Sequence, residues 1–170
     1  MVYTTCLHMP APPDQANTQT RHDSLRLRGF DYASRRVYFV TVVACERRPA
    51  FGDQRVARST FDCLFELRQK LGFNLYCYCL MPDRLHLLVG PGDCGKSLAE
   101  ICGAFKSLST RAYWQWHEGK LWQRQFFDHI IRNEKEFFET LEYIKQNPVR
   151  KQLARTPAEW PYTGTPDEWQ

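Results

Sequence analysis

The fold class that the sequence predicts is α+β, of the ferredoxin-like (split βαβ) type. It is an antiparallel sheet with helices packed on it and an extra C-terminal helix. Three observations lead there. Val37–Cys45 (VYFVTVVAC) is almost wholly β-branched and aromatic, as a buried central strand requires. Gln54–Leu71 repeats its apolar residues with the period of a helix. Two further apolar runs are joined by only Met81-Pro82-Asp83, a turn, so they form a hairpin. The resulting order, β-α-β-β-α-β and then a helix, is the split βαβ order. That topology serves RNA-recognition modules, metal-binding proteins and nucleases alike, so it leaves function open.

Each element has its own reason. Residues 1–24 are rich in Pro, Thr, Gln and Asp without periodicity and read as a flexible arm, followed by basic residues Arg26, Arg28, Arg35 and Arg36. The helix over Gln54–Leu71 carries that period on Val56, Ala57, Thr60, Phe61, Leu64, Phe65, Leu67 and Leu71 and stops at Gly72, in the C′ position. Phe73–Leu80 is the second strand and Arg84–Val89 the third. Ser97 caps a long helix from Leu98 to about His117, with Glu100 in the capping-box position and Gly119 ending it. Phe126–Arg132 reads as a fourth strand. A last helix starts near Asn133 or Glu134, points Phe137, Phe138, Leu141 and Ile144 inward, and is expected to stop by Asn147 because Pro148 follows. The length and the element order fit one domain after the arm, with 165–170 a short tail.

Composition narrows the function without naming it. The 170 residues carry Lys+Arg 23 against Asp+Glu 19, a net charge of +4, which permits a nucleic-acid partner. No apolar run approaches the roughly 20 residues that span a bilayer, so no membrane helix is expected. Seven cysteines are scattered without a C-x-x-C pair, which excludes a zinc ribbon or finger. Cys77 and Cys79 read as small buried apolar residues. With no signal peptide and reduced thiols, the expected compartment is the cytoplasm.

Two places could carry chemistry. Tyr143 and Asn147 are four apart and share a face of the last helix, while Leu141 and Ile144 turn to the core. They are either a nucleophile beside a metal or phosphate contact, or a hydrogen-bonded tyrosine and a helix-ending amide. On the third strand Arg84, His86 and Leu88 share one face and Leu85, Leu87 and Val89 the other, so His86 projects where the last helix could cover it. Arg84 cannot ligate a cation, but its fork can grip a phosphate. Asp128 and His129 point to opposite faces, so at most one of them meets this site. Lys106, Arg111, Arg124, Arg132, Lys145, Arg150 and Lys151 could line a DNA backbone groove. Trp114, Trp116, Trp122 and Phe126 could stack on unpaired bases, the last two being mostly core.

The blocks LRLRGFDYASRRVYFVTVVACERRPAFGD, YCLMPDRLHLLV, LWQRQFFDHIIRNEKEF, LEYIKQNPVRKQLA and EWPYTG occur in this order over about residues 25–164. The chain thereby resembles the single-tyrosine HUH transposases (IS200-like), and within them the REP-associated tyrosine transposases of bacteria. The resemblance implies cutting and rejoining of single-stranded DNA at hairpins, with transposition as the outcome. It implies that Tyr143 attacks a phosphodiester to give a 5′-phosphotyrosine. It also implies a Mg²⁺ or Mn²⁺ held by two histidines of a His-hydrophobic-His strand motif, of which His86 matches the second, and by Asn147. A phenol ionises only near pH 10, so attack at neutral pH calls for nearby positive charge. Single-stranded or hairpin DNA is the implied partner, and a homodimer and a monomer are both open.

One position departs from the pattern. Where the family has MP-D/N-H-hydrophobic-H, this chain reads Met81-Pro82-Asp83-Arg84-Leu85-His86, so the first histidine is Arg84. A guanidinium offers no lone pair and repels a cation, so the expected metal site is weakened unless Asp83 or His129 moves in. Three readings stay open: a nuclease in which Arg84 neutralises the phosphate, a degenerate or domesticated member that binds hairpins without efficient cleavage, and a module of this fold acting on other nucleic acid.

Overall fold

The computed structural model describes residues 36–169. The arm 1–24 and Arg26, Arg28 and Arg35 of the basic patch lie outside the described residues. Five strands form an antiparallel sheet in the order β4-β1-β3-β2-β5: β1 is Tyr38–Val43, β2 Asn74–Met81, β3 Arg84–Gly90, β4 Phe127–Ile130 and β5 Thr163–Gly164. Helices α1 (Gln54–Leu71), α2 (Leu98–Tyr113) and α3 (Glu134–Arg150) complete the α+β architecture. Among the described residues no helix is long and apolar enough to cross a membrane.

The alternation of β1 and β3 decides what each face of the sheet receives. Val40, Val42, Leu85, Leu87 and Val89 are buried on the face shared with α1 and α2. On the opposite face Val37, Cys77, Cys79, Met81, Leu88 and Ile131 form a cluster with Phe137 and Ile144 of α3. A bulge between Leu75 and Cys77 sends both Tyr76 and Cys77 to the α3 side, where Tyr76 meets Phe137 edge-on at 5.3 Å. Burial pushes the Cys77 and Cys79 thiols up to about 12, so they serve as inert packing groups, as expected.

The helix ends follow the sequence signals. Asp53 caps α1 through Arg55 N–H, and Gly72, at φ 76°, closes it. Ser97 and Glu100 make the reciprocal capping box of α2. Asn133 accepts from Glu136 N–H at the start of α3. Phe138, expected inward, is exposed beside the buried Phe137, and some boundaries differ. Helix α2 stops at Tyr113 rather than His117, and β4 is confined to Phe127–Ile130.

The larger correction concerns Pro148, which lies inside α3 and does not end it. Proline removes one amide donor, the one the Ile144 carbonyl would use, but the turn after it is rebuilt. Lys151 N–H donates to Asn147 O at 3.0 Å, Gln152 N–H to Val149 O at 2.9 Å and Leu153 N–H to Pro148 O at 2.8 Å. The last two bonds are a Schellman closure with Gln152 in the left-handed region at φ 58°.

The C-terminal segment also packs more than its sequence suggested. Strand β5 pairs with Tyr78 and Cys79, Trp160 Nε1 donates to Leu80 O at 2.8 Å, and Asp167 accepts from Leu75 N–H at 2.6 Å and pairs with Arg68. Trp169 lies 4.2 Å from the Phe137 ring. A two-residue strand carries too little pattern to be read from sequence.

A left-handed non-glycine residue at C′ costs about 1–2 kcal/mol in backbone strain, part of which glycine gives back through the unfolded chain. Gln152→Gly is therefore expected to stabilise the fold by about 0.5–1 kcal/mol, read as a higher urea midpoint at an unchanged m-value.

Candidate active site

Three elements meet at the site because their core-facing residues leave no alternative. Burial of Phe137 and Ile144 seats α3 on the sheet. That rotation brings Asn147 to the buried side and leaves Tyr143 about 40% exposed at its margin. The register of β1 on β3 pairs Thr41 with His86 and Val43 with Arg84, all on the α3 face. Phe39 fills the gap: its ring stacks on His86 at 5.7 Å and meets Tyr143 edge-on at 5.9 Å, while the His86 and Tyr143 rings stand 6.2 Å apart.

The cleft beside Tyr143 has a volume of about 580 Å³. Met81, Pro82 and Asp83 form one wall, Arg84 and His86 the floor, and Asn147, Arg150, Lys151 and Leu153 the wall beyond the tyrosine. Arg47 closes the rim. It is presented by a turn in which two consecutive non-glycine residues, Glu46 and Arg47, hold φ of 57° and 55°. Such strain persists only where the surroundings impose it; here the flanking amides bind Ala44 O and Cys45 O. The guanidinium of Arg150 lies over the Tyr143 ring at 5.1 Å.

The charge in the cleft is one-sided. Arg47, Arg84, Arg150 and Lys151 face a single carboxylate, Asp83, and that carboxylate is already engaged. Arg84 donates from Nε to Oδ1 at 2.9 Å and from Nη2 to Oδ2 at 2.6 Å. This fork holds the Asp83 carboxyl below the usual carboxylate range and raises the Arg84 guanidinium further. His86 is buried, its Nδ1 sits 2.9 Å from Thr41 Oγ1, and burial, then the charge of Arg84, bring it down to about 4. It is a neutral imidazole at physiological pH.

These donors do not fit a divalent cation. The resemblance expects three protein ligands, and the guanidinium at one of those positions has no lone pair to give and carries a charge of the wrong sign. The cleft supplies one neutral imidazole and Asn147, whose Nδ2 is turned to the Tyr143 carbonyl at 2.8 Å. Both oxygens of Asp83 are engaged by Arg84, and His129 is turned to Glu136 of α3 at 2.6 Å. Neither therefore replaces the missing histidine. Among the described residues no group of three or more His, Cys, Asp or Glu side chains could hold a metal.

Of the basic residues read from sequence, Arg84, Arg150 and Lys151 come together with Tyr143, His86 and Asn147. Lys106 lies elsewhere and spends its ammonium on the carbonyls of Gln123 and Arg124 at 2.6 and 2.8 Å. Arg124 lines a second cleft with Trp114 and Lys120, on the α2 side. Arg111 belongs to α2, Arg132 lies before α3, where its amide donates to Glu136, and Lys145 pairs with Glu142 at 3.6 Å. Trp122 is core, its Nε1 donating to Ser109 Oγ at 2.8 Å, whereas Trp114 and Trp116 are exposed. The residue that sequence reasoning missed is Arg47. Its only signal was a charged pair before Pro49, which does not say where the chain turns.

A family model described as "Transposase IS200 like" matches residues 33–147, from just before β1 to Asn147 itself. The chain belongs to the IS200-like transposase family. A Haemophilus influenzae protein assigned by name to the REP-associated tyrosine transposases is 25% identical to it over 146 residues, 78% of this chain and 81% of that one. A REP-associated tyrosine transposase of Escherichia coli K12 is 23% identical over 104 residues, 59% of each chain. The solved structure of a REP-associated tyrosine transposase bound to a REP hairpin has the same fold, with a TM-score of 0.69 over 82% of both chains at 20% identity.

In this IS200-like transposase the buried imidazole sets a pH dependence. Between about pH 6.5 and 4 the unfolded chain binds a proton that folded His86 refuses, so stability present above pH 6.5 is lost as pH falls. Asp83, held low, acts in the same direction, but only below the ordinary carboxylate range. From pH 7 to 4.5 the urea-unfolding free energy should fall by about 2 kcal/mol more in the parent than in His86→Gln. Equal slopes in the two proteins would disprove the assignment.

Proposed function

We propose that this IS200-like transposase binds single-stranded DNA carrying a hairpin, and that Tyr143 attacks one phosphodiester of that strand. The carrying observation is the cleft itself: a half-exposed phenol among four cationic side chains, with the one carboxylate already paired. Such a cleft accepts a phosphodiester and disfavours neutral or cationic ligands.

The residues divide the work. Arg150 and Lys151, at the end of α3, and Arg47, on its strained turn, draw the phosphate in beside the phenol. Asn147 braces the helix backbone behind Tyr143 through its bond to the Tyr143 carbonyl. A lone pair of the phenol oxygen then forms the O–P bond as the bond from phosphorus to the 3′-oxygen breaks. The phenol proton leaves through water, and the departing 3′-oxygen ends as a hydroxyl. The downstream strand stays on Tyr143 as a 5′-phosphotyrosine, and attack by another 3′-OH reverses the step with a new partner. Phosphoester bonds are exchanged one for one, so no external energy source is needed.

A second reading has its own support. The position that the resemblance reserves for a metal histidine is Arg84, and a protein so changed can bind hairpins without cutting them efficiently.

A labelled single-stranded hairpin with unpaired flanks separates the two, with and without Mn²⁺. In the first reading the parent forms a covalent product resistant to denaturation, and Tyr143→Phe forms none while its hairpin affinity stays within about threefold, since only a hydroxyl is removed. Product surviving in Tyr143→Phe would exclude Tyr143 as nucleophile. Tight binding by a parent that forms no product under either condition establishes the second reading.

A further inference from the structure

The disagreement between the expected metal site and the side chains present carries one inference, which rests on the reading that the Tyr143 cleft receives DNA. We infer that the Arg84 guanidinium, locked in place by Asp83, grips the DNA phosphate directly where the family resemblance expects a cation, so that the site engages DNA without a divalent metal.

The geometry of the pair supports this. A guanidinium has five N–H donors in one plane. Asp83 takes two of them, from Nε and Nη2, both along one edge. Three remain for a second acceptor, and a phosphodiester with two non-bridging oxygens matches the fork. Two bonds to one carboxylate also fix the plane of the group, which a single contact would leave free to rotate. Arg84 lies on the floor of the cleft that Tyr143 lines, and its side chain is about 29% exposed, so it is reachable without being loosely solvated. Asp83 is the positioning residue of this pair and touches no DNA.

Charge and ligand chemistry agree with the geometry. Held charge beside a phosphate stabilises the extra negative charge that builds on the non-bridging oxygens during displacement. A guanidinium supplies that charge permanently, whereas His86 is buried against Thr41 and Phe39 and contributes shape. Arg47, from its turn, and Arg150 and Lys151, from the end of α3, line the same cleft and add further positive charge to it. The arrangement suits an anion and opposes the entry of a cation.

The test measures hairpin affinity by fluorescence anisotropy, and covalent product on a denaturing gel, with EDTA and with Mg²⁺ or Mn²⁺. Affinity in the parent should agree within about twofold between these conditions. Arg84→Ala should lose at least about tenfold, as expected for a charge-assisted hydrogen bond. Arg84→Lys keeps the charge and the size of the side chain but lacks the fork, and should recover only part of that loss. Asp83→Asn should weaken binding in the parent and have no further effect in Arg84→Ala, which a merely structural aspartate would not do.

Binding or product that requires Mg²⁺ or Mn²⁺ in the parent overturns the inference, as does an Arg84→His variant that binds as well as the parent in EDTA. Binding that depends on Arg84 and ignores EDTA, without covalent product, supports the grip while defeating the cutting step. A parent that binds no hairpin defeats the DNA reading and this inference with it.

Discussion

The seating of α3 on the sheet is the constraint from which the rest of the site follows. Phe137 and Ile144 enter a hollow floored by Cys77, Cys79 and Leu88, where small thiols leave room for large side chains opposite. Once those two are buried, the 100° step of the helix allows Tyr143 one place, at the edge of the hollow beside Phe39 and His86. The same rotation turns Asn147 inward and carries Arg150 over the tyrosine ring. Tyr143 is thus placed by its neighbours' hydrophobicity more than by any bond of its own.

The polar floor obeys a second rule, that buried polar groups need partners. His86 meets it by staying neutral and bonding Thr41 across the β1–β3 ladder. Arg84, half-shielded at the strand entrance, meets it through the carboxylate next to it in sequence. A bare guanidinium here would be costly and mobile, while a paired one is held and still cationic. The turn Met81-Pro82-Asp83 therefore has two duties: it reverses the hairpin, and it supplies the counterion that makes Arg84 tolerable. Its carbonyls also tie down the neighbouring loop, accepting from Ala44 N–H and Phe51 N–H.

The strands and helices were legible because each carries its period over many residues: the β-branched run of β1, the 18-residue amphipathic stretch of α1 and the alternation of β3. The face shared by Arg84 and His86 was legible for the same reason, and so were Tyr143 and Asn147 at their four-residue spacing. What escaped were features made by contacts distant in sequence. Helix α3 runs past Pro148 because the Schellman closure at Gln152 satisfies the carbonyls beyond it. Strand β5 exists only because β2 offers an open edge. The loop after α2 folds back and presents the carbonyls of Gln123 and Arg124 to Lys106, a contact that no local pattern announces. Arg47 enters the cleft through a left-handed turn that no local pattern announces.

The Arg84–Asp83 fork also has a meaning for heredity. Histidine and arginine codons differ by a single base, so the step between an imidazole and a guanidinium at this position needs no intermediate. The aspartate that steadies the arginine belongs to the turn and not to the strand. One mutation is therefore enough to exchange the two side chains, with the turn that supplies the counterion left as it is.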